Sequence, residues 1–230
     1  MNSKLNIEIS QDFSKVYPGA SVGILALENL SIVSGQNLDE TRQQIILSLQ
    51  GQFPDRDALK NHPVIKAYSR YYKRFNKSYH VLGQLESVIF ENRPLPSGLV
   101  LVQAVFAAEL KNMLLTAMHD LDAIREPLEI GISTGEEVYT TLRGSDQRLK
   151  SGDMLVRDQS GVLSCVVYGP DQRTKVTPAT SNLLVVVYAP VGIGKEHILS
   201  HFGDIQNYLR IFSPGFTTSG QAVYPQDLKR

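Results

Sequence analysis

Residues 135–190 read GEEVYTTLRGSDQRLKSGDMLVRDQSGVLSCVVYGPDQRTKVTPATSNLLVVVYAP and alternate short apolar runs with turns. The strand candidates in this stretch are EVYTTL, DMLVRD, GVLSCVVY and LLVVVYA, and LEIGIST precedes them. Short runs rich in β-branched residues and bounded by glycine or polar residues are typical of β-strands. The pattern therefore predicts a β-rich region from about Leu114 to Ala189.

The residues on either side of this region are predicted to be mainly helical. Two strands are predicted near the N-terminus, at about 5–9 and 20–28, and a helix is predicted to begin at Asn37, where capping chemistry is present. Apolar periodicity then predicts helices over about 62–75, 81–90 and 99–115, with breaks at FPDRD and NRPLPSG. A closing helix over about 194–212 is followed by a tail rich in proline and glycine. We expect one domain over residues 1–230.

Composition limits the possible partners. The chain has 230 residues, with 23 lysines and arginines against 23 aspartates and glutamates, so no global charge favours nucleic acid or an anionic membrane. The single cysteine, Cys165, lies in an apolar run and is interpreted as a small buried hydrophobe. The N-terminal stretch lacks the apolar core of a signal peptide, and no run is long enough to span a bilayer. We expect a soluble cytoplasmic protein that binds neither membrane nor DNA.

Strong enzyme motifs are absent from the sequence. It contains no GxxxxGK[ST] phosphate loop and no paired CxxC. His197 and His201 have the i, i+4 spacing that two imidazoles on one metal ion require, but no glutamate lies between them as in HExxH. A pair of histidines on a surface helix is favoured over a zinc site, so neither metal nor cofactor is expected.

The segment HPVIKAYSRYYKRFNKSYH, residues 62–80, combines aromatic and cationic residues at helical spacing. Its aromatic residues are expected to face the core. The cations could neutralise phosphates, and interleaved aromatic rings could stack on unpaired bases. The alternative is a solvated helix face with no nucleic-acid partner. The RNA-binding candidates in this segment are Lys66, Arg70, Lys73 and Arg74.

His119 is the candidate for acid–base chemistry. It precedes Asp120 and lies near Asp122, in AMHDLDAI, where the helical half passes into the β-rich half. A carboxylate beside a histidine can orient it as a general base. A histidine that caps a helix end or bonds to backbone is an equally plausible interpretation.

Four motifs together resemble the central domain of the bacterial phenylalanyl-tRNA synthetase β subunit, and especially its free-standing relatives. They are HPVIKAYSRYYKRF, HVLGQLESVIF, LPSGLVLVQAVFAAELKNMLLTAMHDLD and the stretch 135–190. The resemblance runs from about His62 to Pro190. It implies an α/β (α+β) fold with an unusual β-sandwich core flanked by helices. It also implies deacylation of a mischarged aminoacyl-tRNA, without metal or diffusible cofactor.

The resemblance extends to the amino-acid pocket, with departures. His119 matches the family's histidine and Asp122 its aspartate, but the Thr-Asn pair that precedes the histidine is absent from AVFAAE. Valine stands where the synthetase has a glutamate that binds the tyrosine hydroxyl, so the resemblance does not imply tyrosine as the substrate. The predicted pocket residues are Cys165, Val166, Gly169, Pro170, Val185 and Val186. In the loop 166–180, Arg173 and Lys175 are expected to be free to meet a phosphate or carboxylate.

Three functions follow as hypotheses. The chain is a tRNA-interacting protein that hydrolyses a mischarged aminoacyl-tRNA ester in trans, or a non-catalytic RNA-binding module, or a binder of a small amino-acid-like ligand. It is not expected to be a complete aminoacyl-tRNA ligase, because the catalytic, anticodon-reading and metal-binding modules of a synthetase are absent from its sequence.

Overall fold

A computed structural model describes residues 5–95 and 98–225. It contains seven α-helices and eleven strands within these ranges. The helices are α1 (Gln11–Val16), α2 (Asp39–Gln52), α3 (Arg56–Asn61), α4 (Pro63–Lys73), α5 (His80–Phe90), α6 (Val100–Asn112) and α7 (Lys195–Phe212). The strands are β1 (Ile7–Ile9), β2 (Ser21–Glu28), β3 (Thr116–Asp120), β4 (Leu128–Ile132), β5 (Val138–Thr140), β6 (Asp146–Arg148), β7 (Met154–Asp158), β8 (Gly161–Cys165), β9 (Gly169–Pro170), β10 (Leu183–Ala189) and β11 (Thr217–Tyr224).

The strands form two main sheets and a hairpin. One sheet has the order β1-β4-β7-β8-β9, the other has the order β11-β2-β10-β3, and β5 pairs with β6. Within the first sheet β1 lies parallel to β4, whereas the second sheet is antiparallel throughout. Side chains from the two sheets meet in the interior, where His119 of β3 contacts Ser164 of β8. Helices and two facing sheets of this kind confirm the predicted α+β fold class.

Strand β10 is one of the two inner strands of the second sheet. All seven of its residues, LLVVVYA, are buried, because β2 and β3 flank it and both of its faces are covered. Continuous apolar runs are what a strand buried on both faces requires. On β2, Gly23 leaves the space into which Ile198 and Phe202 of α7 pack, because a Cβ at this position would lie 2.5 Å from an Ile198 methyl carbon.

The strand candidates of the β-rich region and the long helices are confirmed, with boundary shifts. Helix α6 ends at Asn112, earlier than predicted, because Met113 adopts a left-handed conformation with φ 57°. The chain then enters β3 directly, which places His119 on a strand. The predicted break FPDRD contains the N-cap of α3, where Asp55 accepts a hydrogen bond from the Ala58 backbone N–H at 2.7 Å. Part of the other predicted break, residues 96–97, lies outside the described residues.

The C-terminal region was predicted to be a tail, but it contains a strand. Residues 217–224 form β11, which pairs antiparallel with β2 and carries an irregularity between Thr218 and Gly220. Its sequence, TTSGQAVY, lacks an apolar alternation because the strand lies at the edge of its sheet and most of its side chains are not buried. Edge strands tolerate polar residues and bulges better than central strands do.

Candidate functional site

A stripe of five cations runs along α4 and the turn that follows it. All five side chains are exposed, and their spacing along the sequence places them on one side of the helix. We call this surface the basic stripe; it consists of Lys66, Arg70, Lys73, Arg74 and Lys77. None of the five forms an ion pair with an acidic residue in ranges 5–95 and 98–225. Their charge is therefore available to an anionic partner.

The opposite face of α4 is held in the interior by tyrosines. Tyr68, Tyr71 and Tyr72 are buried, and each hydroxyl donates a hydrogen bond inside the protein. Tyr68 donates to the Tyr188 carbonyl at 2.5 Å, Tyr71 to the Asp153 carboxylate at 2.7 Å, and Tyr72 to the Val166 carbonyl at 2.6 Å. The prediction that the aromatic residues face the core is confirmed. The hypothesis that interleaved rings stack on unpaired bases is wrong for these three tyrosines, because their rings are buried.

Two cations of the stripe are also positioned by aromatic rings. The Arg74 guanidinium lies 4.8 Å from the centroid of Tyr17, and the Lys77 ammonium lies 5.6 Å from that of Tyr168. A ring face attracts a cation without neutralising its charge. These contacts restrict the two side chains while leaving them able to bind phosphate.

His119 is fully buried between the two sheets. Its Nδ1 lies 2.8 Å from the Thr174 hydroxyl, and its Nε2 lies 3.1 Å from the Ser164 hydroxyl. Thr174 in turn donates to the carboxylate of Asp171. Because the Thr174 proton is directed to Asp171, its oxygen accepts from Nδ1–H, which leaves Nε2 as the acceptor facing Ser164.

The charge state of His119 follows from its surroundings. Burial and the nearby Arg173 cation lower the pKa of His119 to about 3, against the opposing effect of Asp158. The imidazole is therefore neutral at physiological pH. A neutral imidazole between a hydroxyl and a Thr–Asp pair is the arrangement of a general base, but every group in it is buried.

The carboxylate linked to His119 through Thr174 is that of Asp171, not that of Asp120 or Asp122, its neighbours in sequence. Asp120 accepts from the Thr180 hydroxyl at 2.6 Å, and Asp122 accepts from the Asn182 amide at 2.9 Å. Adjacent residues of a strand point to opposite faces, so Asp120 cannot share the environment of His119. Ser164, Asp171 and Thr174, which do contact or support it, lie far along the chain and have no spacing motif.

The predicted pocket residues come from both sheets and do not share one environment. In the pairing of β8 with β9, Cys165 lies opposite Gly169 and Ser164 opposite Pro170. On β10, Leu184 lies opposite His119 and is followed by Val185 and Val186. The Cys165 side chain packs in a small separate cluster, whereas Val166, Val185 and Val186 belong to the main core.

Most of the predicted pocket residues are enclosed by packed side chains. Cys165, Val166, Val185 and Val186 are each 1% exposed or less, whereas Gly169 and Pro170 are half-buried. Burial raises the pKa of the Cys165 thiol well above its usual value, so the thiol is neutral. The Tyr139 hydroxyl donates to the Gly169 carbonyl at 2.9 Å. None of five principal cavities among the described residues is lined by a predicted pocket residue.

Most polar side chains of the loop 166–180 bond within the protein, and only part of the loop is available to a partner. Arg173 is not free for a phosphate, contrary to the prediction, because its guanidinium binds the Asp158 carboxylate at 2.9 and 3.1 Å and the Ala123 carbonyl at 2.9 Å. Lys175 is exposed. The loop carries Asp171 and Thr174 to His119, so its polar residues stabilise the interior.

The remaining histidines do not form a metal site. His201 is fully buried, which contradicts the predicted surface pair. It bonds to the Thr116 hydroxyl at 2.9 Å, whereas His197 bonds to the Asn112 carbonyl at 2.9 Å. Within the part of the chain that the structure describes, no group of three or more histidine, cysteine, aspartate or glutamate residues could hold a metal ion. Nor do the described helices include one long and apolar enough to cross a membrane.

Comparisons with known proteins show what part of the sequence and the fold are similar to. Residues 107–198 match the B3/4 domain, a domain of phenylalanyl-tRNA synthetase β subunits. The fold is similar to that in the crystal structure of an N-terminal fragment of the phenylalanyl-tRNA synthetase β-subunit from Pyrococcus horikoshii. The TM-score is 0.50 at 13% sequence identity, with 97% of this chain and 55% of that chain covered. No curated protein matches the sequence.

These comparisons confirm the resemblance to the synthetase β subunit that the sequence predicted. The match to the B3/4 domain is confined to residues 107–198, and the fold is similar to that of the β-subunit fragment. It spans about half the length of the fragment, since 55% of that chain is covered.

Proposed function

We propose that this protein binds RNA, with tRNA as the expected partner, through the basic stripe on α4 and without catalytic turnover. The observation that carries the proposal is a row of five exposed cations without acidic partners among the described residues. The similarity of residues 107–198 to the B3/4 domain of phenylalanyl-tRNA synthetase β subunits supports it further.

Charge and geometry favour a nucleic-acid backbone as the ligand. The whole chain has equal numbers of cationic and anionic side chains, 23 of each, so attraction to RNA must come from a local cluster. From Lys66 to Arg74 the stripe extends about 12 Å along the helix, at a rise of about 1.5 Å per residue. This length allows contact with several consecutive phosphates of one strand, and each contact releases condensed counterions.

Neutralising two lysines of the stripe is expected to weaken RNA binding about tenfold and to reduce its salt dependence. For single-stranded RNA the slope of log affinity against log salt falls by about 0.7 for each lost phosphate contact, so Lys66→Ala with Lys73→Ala should reduce it by about 1.4. The measurement is fluorescence anisotropy with tRNA and with single-stranded RNA over a range of salt concentrations.

A control variant with the same change in charge tests the location of the site. Arg93 and Arg210 are exposed and belong neither to the stripe nor to the segments that contact it through Tyr17. Arg93→Ala with Arg210→Ala should leave the affinity and the salt slope near the wild-type values. If both double variants lose affinity equally, the basic stripe is not the binding site.

A second candidate function is hydrolysis of a mischarged aminoacyl-tRNA ester in trans at His119. The hydrogen-bonded series Ser164, His119, Thr174 and Asp171 favours it, because the imidazole Nε2 faces the Ser164 hydroxyl as an acceptor. The burial of His119 and the filled surroundings of Cys165 weigh against it, since a substrate must reach Nε2.

Incubation with a panel of aminoacyl-tRNAs, correct and mischarged, separates the two candidates. We expect binding to tRNA with no acceleration of deacylation by the wild-type protein. If one ester is hydrolysed and His119→Gln abolishes the hydrolysis while retaining tRNA binding and the fold, the protein is a deacylase. Arg173 is not assigned to the RNA interface, because Asp158 occupies its guanidinium.

A further inference from the structure

A cavity of about 140 Å³ lies beside the basic stripe, where α4 meets two other segments of the chain. Its principal lining residues are Arg70, Arg74, Tyr17, Tyr71, Pro190 and Val191. The cavity joins residues that precede β2 and follow β10 to the exposed side of α4. No feature of the sequence brings these three segments together.

The charge inside the cavity comes from the two arginines. Arg70 donates from Nε to the Lys66 carbonyl at 3.4 Å, which leaves its two terminal nitrogens free to bind a ligand. The guanidinium carbon of Arg74 lies over the Tyr17 ring, 4.8 Å from its centroid. The Tyr17 hydroxyl donates to the Gly152 carbonyl at 2.5 Å and so is not available to a ligand. Among the described lining residues there is no carboxylate, so the cavity favours an anion.

The volume of the cavity limits how much of a phosphorylated ligand can enter it. Pockets that enclose whole small ligands measure about 300–1,000 Å³. A cavity of about 140 Å³ accommodates one phosphate group but not a complete nucleotide. A phosphate in the middle of a strand would need room for a nucleoside on both sides. A terminal phosphate needs room on one side only, and near neutral pH it carries nearly two negative charges, which matches two guanidinium groups.

The lining also includes apolar side chains, those of Pro190 and Val191. Val191 is 50% exposed. When a flat apolar group covers an exposed aliphatic side chain, apolar surface is removed from water and binding is stabilised. Pro190 and Val191 thus offer a platform for a sugar or base attached to the phosphate.

We propose that this cavity binds the terminal phosphate of an RNA strand, with Arg70 and Arg74 holding the phosphate and the terminal nucleoside lying on Pro190 and Val191. This inference rests on the proposed RNA-binding function and adds a preference for phosphorylated ends. The basic stripe beyond the cavity contacts the phosphates of the same strand that follow.

The test compares short RNA oligonucleotides of one sequence that carry a 5′-phosphate, a 3′-phosphate or hydroxyls at both ends. One of the two phosphorylated forms is expected to bind about tenfold more tightly than the hydroxyl form, as a charge-assisted bidentate contact predicts. Arg70→Gln with Arg74→Gln should abolish this difference. Lys66→Ala with Lys73→Ala should weaken all three oligonucleotides equally and leave the difference intact.

Equal affinity of the three oligonucleotides for the wild-type protein would overturn the proposal for RNA ends. If no RNA binds, the proposed function fails, and calorimetric titration with adenosine monophosphate then decides the phosphate site separately. Binding heat that disappears in the Arg70→Gln, Arg74→Gln variant would retain the site for a free phosphorylated ligand, and no heat would remove it. Circular dichroism of this variant, whose two changes are exposed, should show an unaltered fold.

Discussion

The variant Glu109→Gln is expected to be more stable than the wild-type protein above pH 8 and about equally stable at pH 5. Glu109 lies on α6 with 6% of its surface exposed, and its Oε2 accepts a hydrogen bond from the Thr116 backbone N–H at 2.8 Å. Burial raises the pKa of its carboxyl from 4.5 to about 8, although this hydrogen bond opposes the shift. The side chain is therefore mostly protonated at neutral pH.

The direction of the pH effect follows from proton linkage. Because the folded-state pKa is raised, the protonated form stabilises the folded protein fully below pH 4.5, and this contribution is lost as pH rises towards about 8. The loss is about 1.4 kcal/mol for each pH unit within that window. Glutamine keeps the shape and the acceptor oxygen of the neutral acid but cannot ionise.

Denaturant unfolding at several pH values between 5 and 9 measures the difference. Wild-type stability should fall with pH relative to Glu109→Gln, by a total of several kcal/mol. Glu136→Gln, at an exposed position, serves as the control and should follow the wild-type protein. Parallel pH profiles for wild type and Glu109→Gln would show that Glu109 does not titrate in this window.

Replacement of Tyr68 by alanine is expected to lower the free energy of unfolding by about 3–5 kcal/mol, as for other large aromatic residues in cores. The Tyr68 ring is fully buried and stacks on Tyr79 with centroids 4.3 Å apart. Its hydroxyl accepts from the Leu115 backbone N–H at 2.9 Å and donates to the Tyr188 carbonyl at 2.5 Å. The residue therefore connects α4 to the strand β10 and to the segment that leads into β3.

The variant Tyr68→Phe separates the ring from the hydroxyl. Phenylalanine keeps the packing but leaves a buried N–H and a buried carbonyl without this partner, at a cost of about 1–3 kcal/mol. Urea unfolding of both variants gives the comparison. A Tyr68→Ala variant that loses less stability than Tyr68→Phe would contradict the assignment of the ring as a core anchor.

The tyrosine anchors also explain why α4 can present a cationic surface. Five like charges on one side of a helix and its following turn repel one another and add nothing to the stability of the fold. The helix is held by the burial of Tyr68, Tyr71 and Tyr72 instead. An RNA partner would relieve the repulsion, which is consistent with a surface maintained for binding.

Local patterns predicted much of this fold. LLVVVYA indicated a buried strand because its apolar residues are continuous, and HPVIKAYSRYYKRF indicated a helix with aromatic residues towards the core. The prediction was less successful at β11 and α3. In β11 the polar residues reflect an edge position, and α3, with six residues, has fewer than two turns in which an apolar period could repeat. Both depend on what surrounds the segment.

The candidate sites were predictable to different degrees. His119 and the cations of α4 could be selected from the sequence, since residue type and spacing marked them. The partners of His119 could not, because Ser164 and Thr174 lie 45 and 55 positions away along the chain. For the same reason the sequence could not distinguish a cation available to a partner from one bound within the fold. Arg173 is bound by Asp158 only because the loop 166–180 folds back on β7.

The sequence by itself determined most of the strands and the long helices, the apolar face of α4, and the resemblance to the central domain of the synthetase β subunit. Those properties depend on residue types over a few turns or a few strand residues. Only the tertiary structure decided that His119 is sealed inside a polar network, that Arg173 is occupied, and that Arg70 and Arg74 meet Tyr17 and Pro190 around a cavity. These are contacts between distant parts of the chain, and their geometry is set by the packing of the two sheets and the helices as a whole.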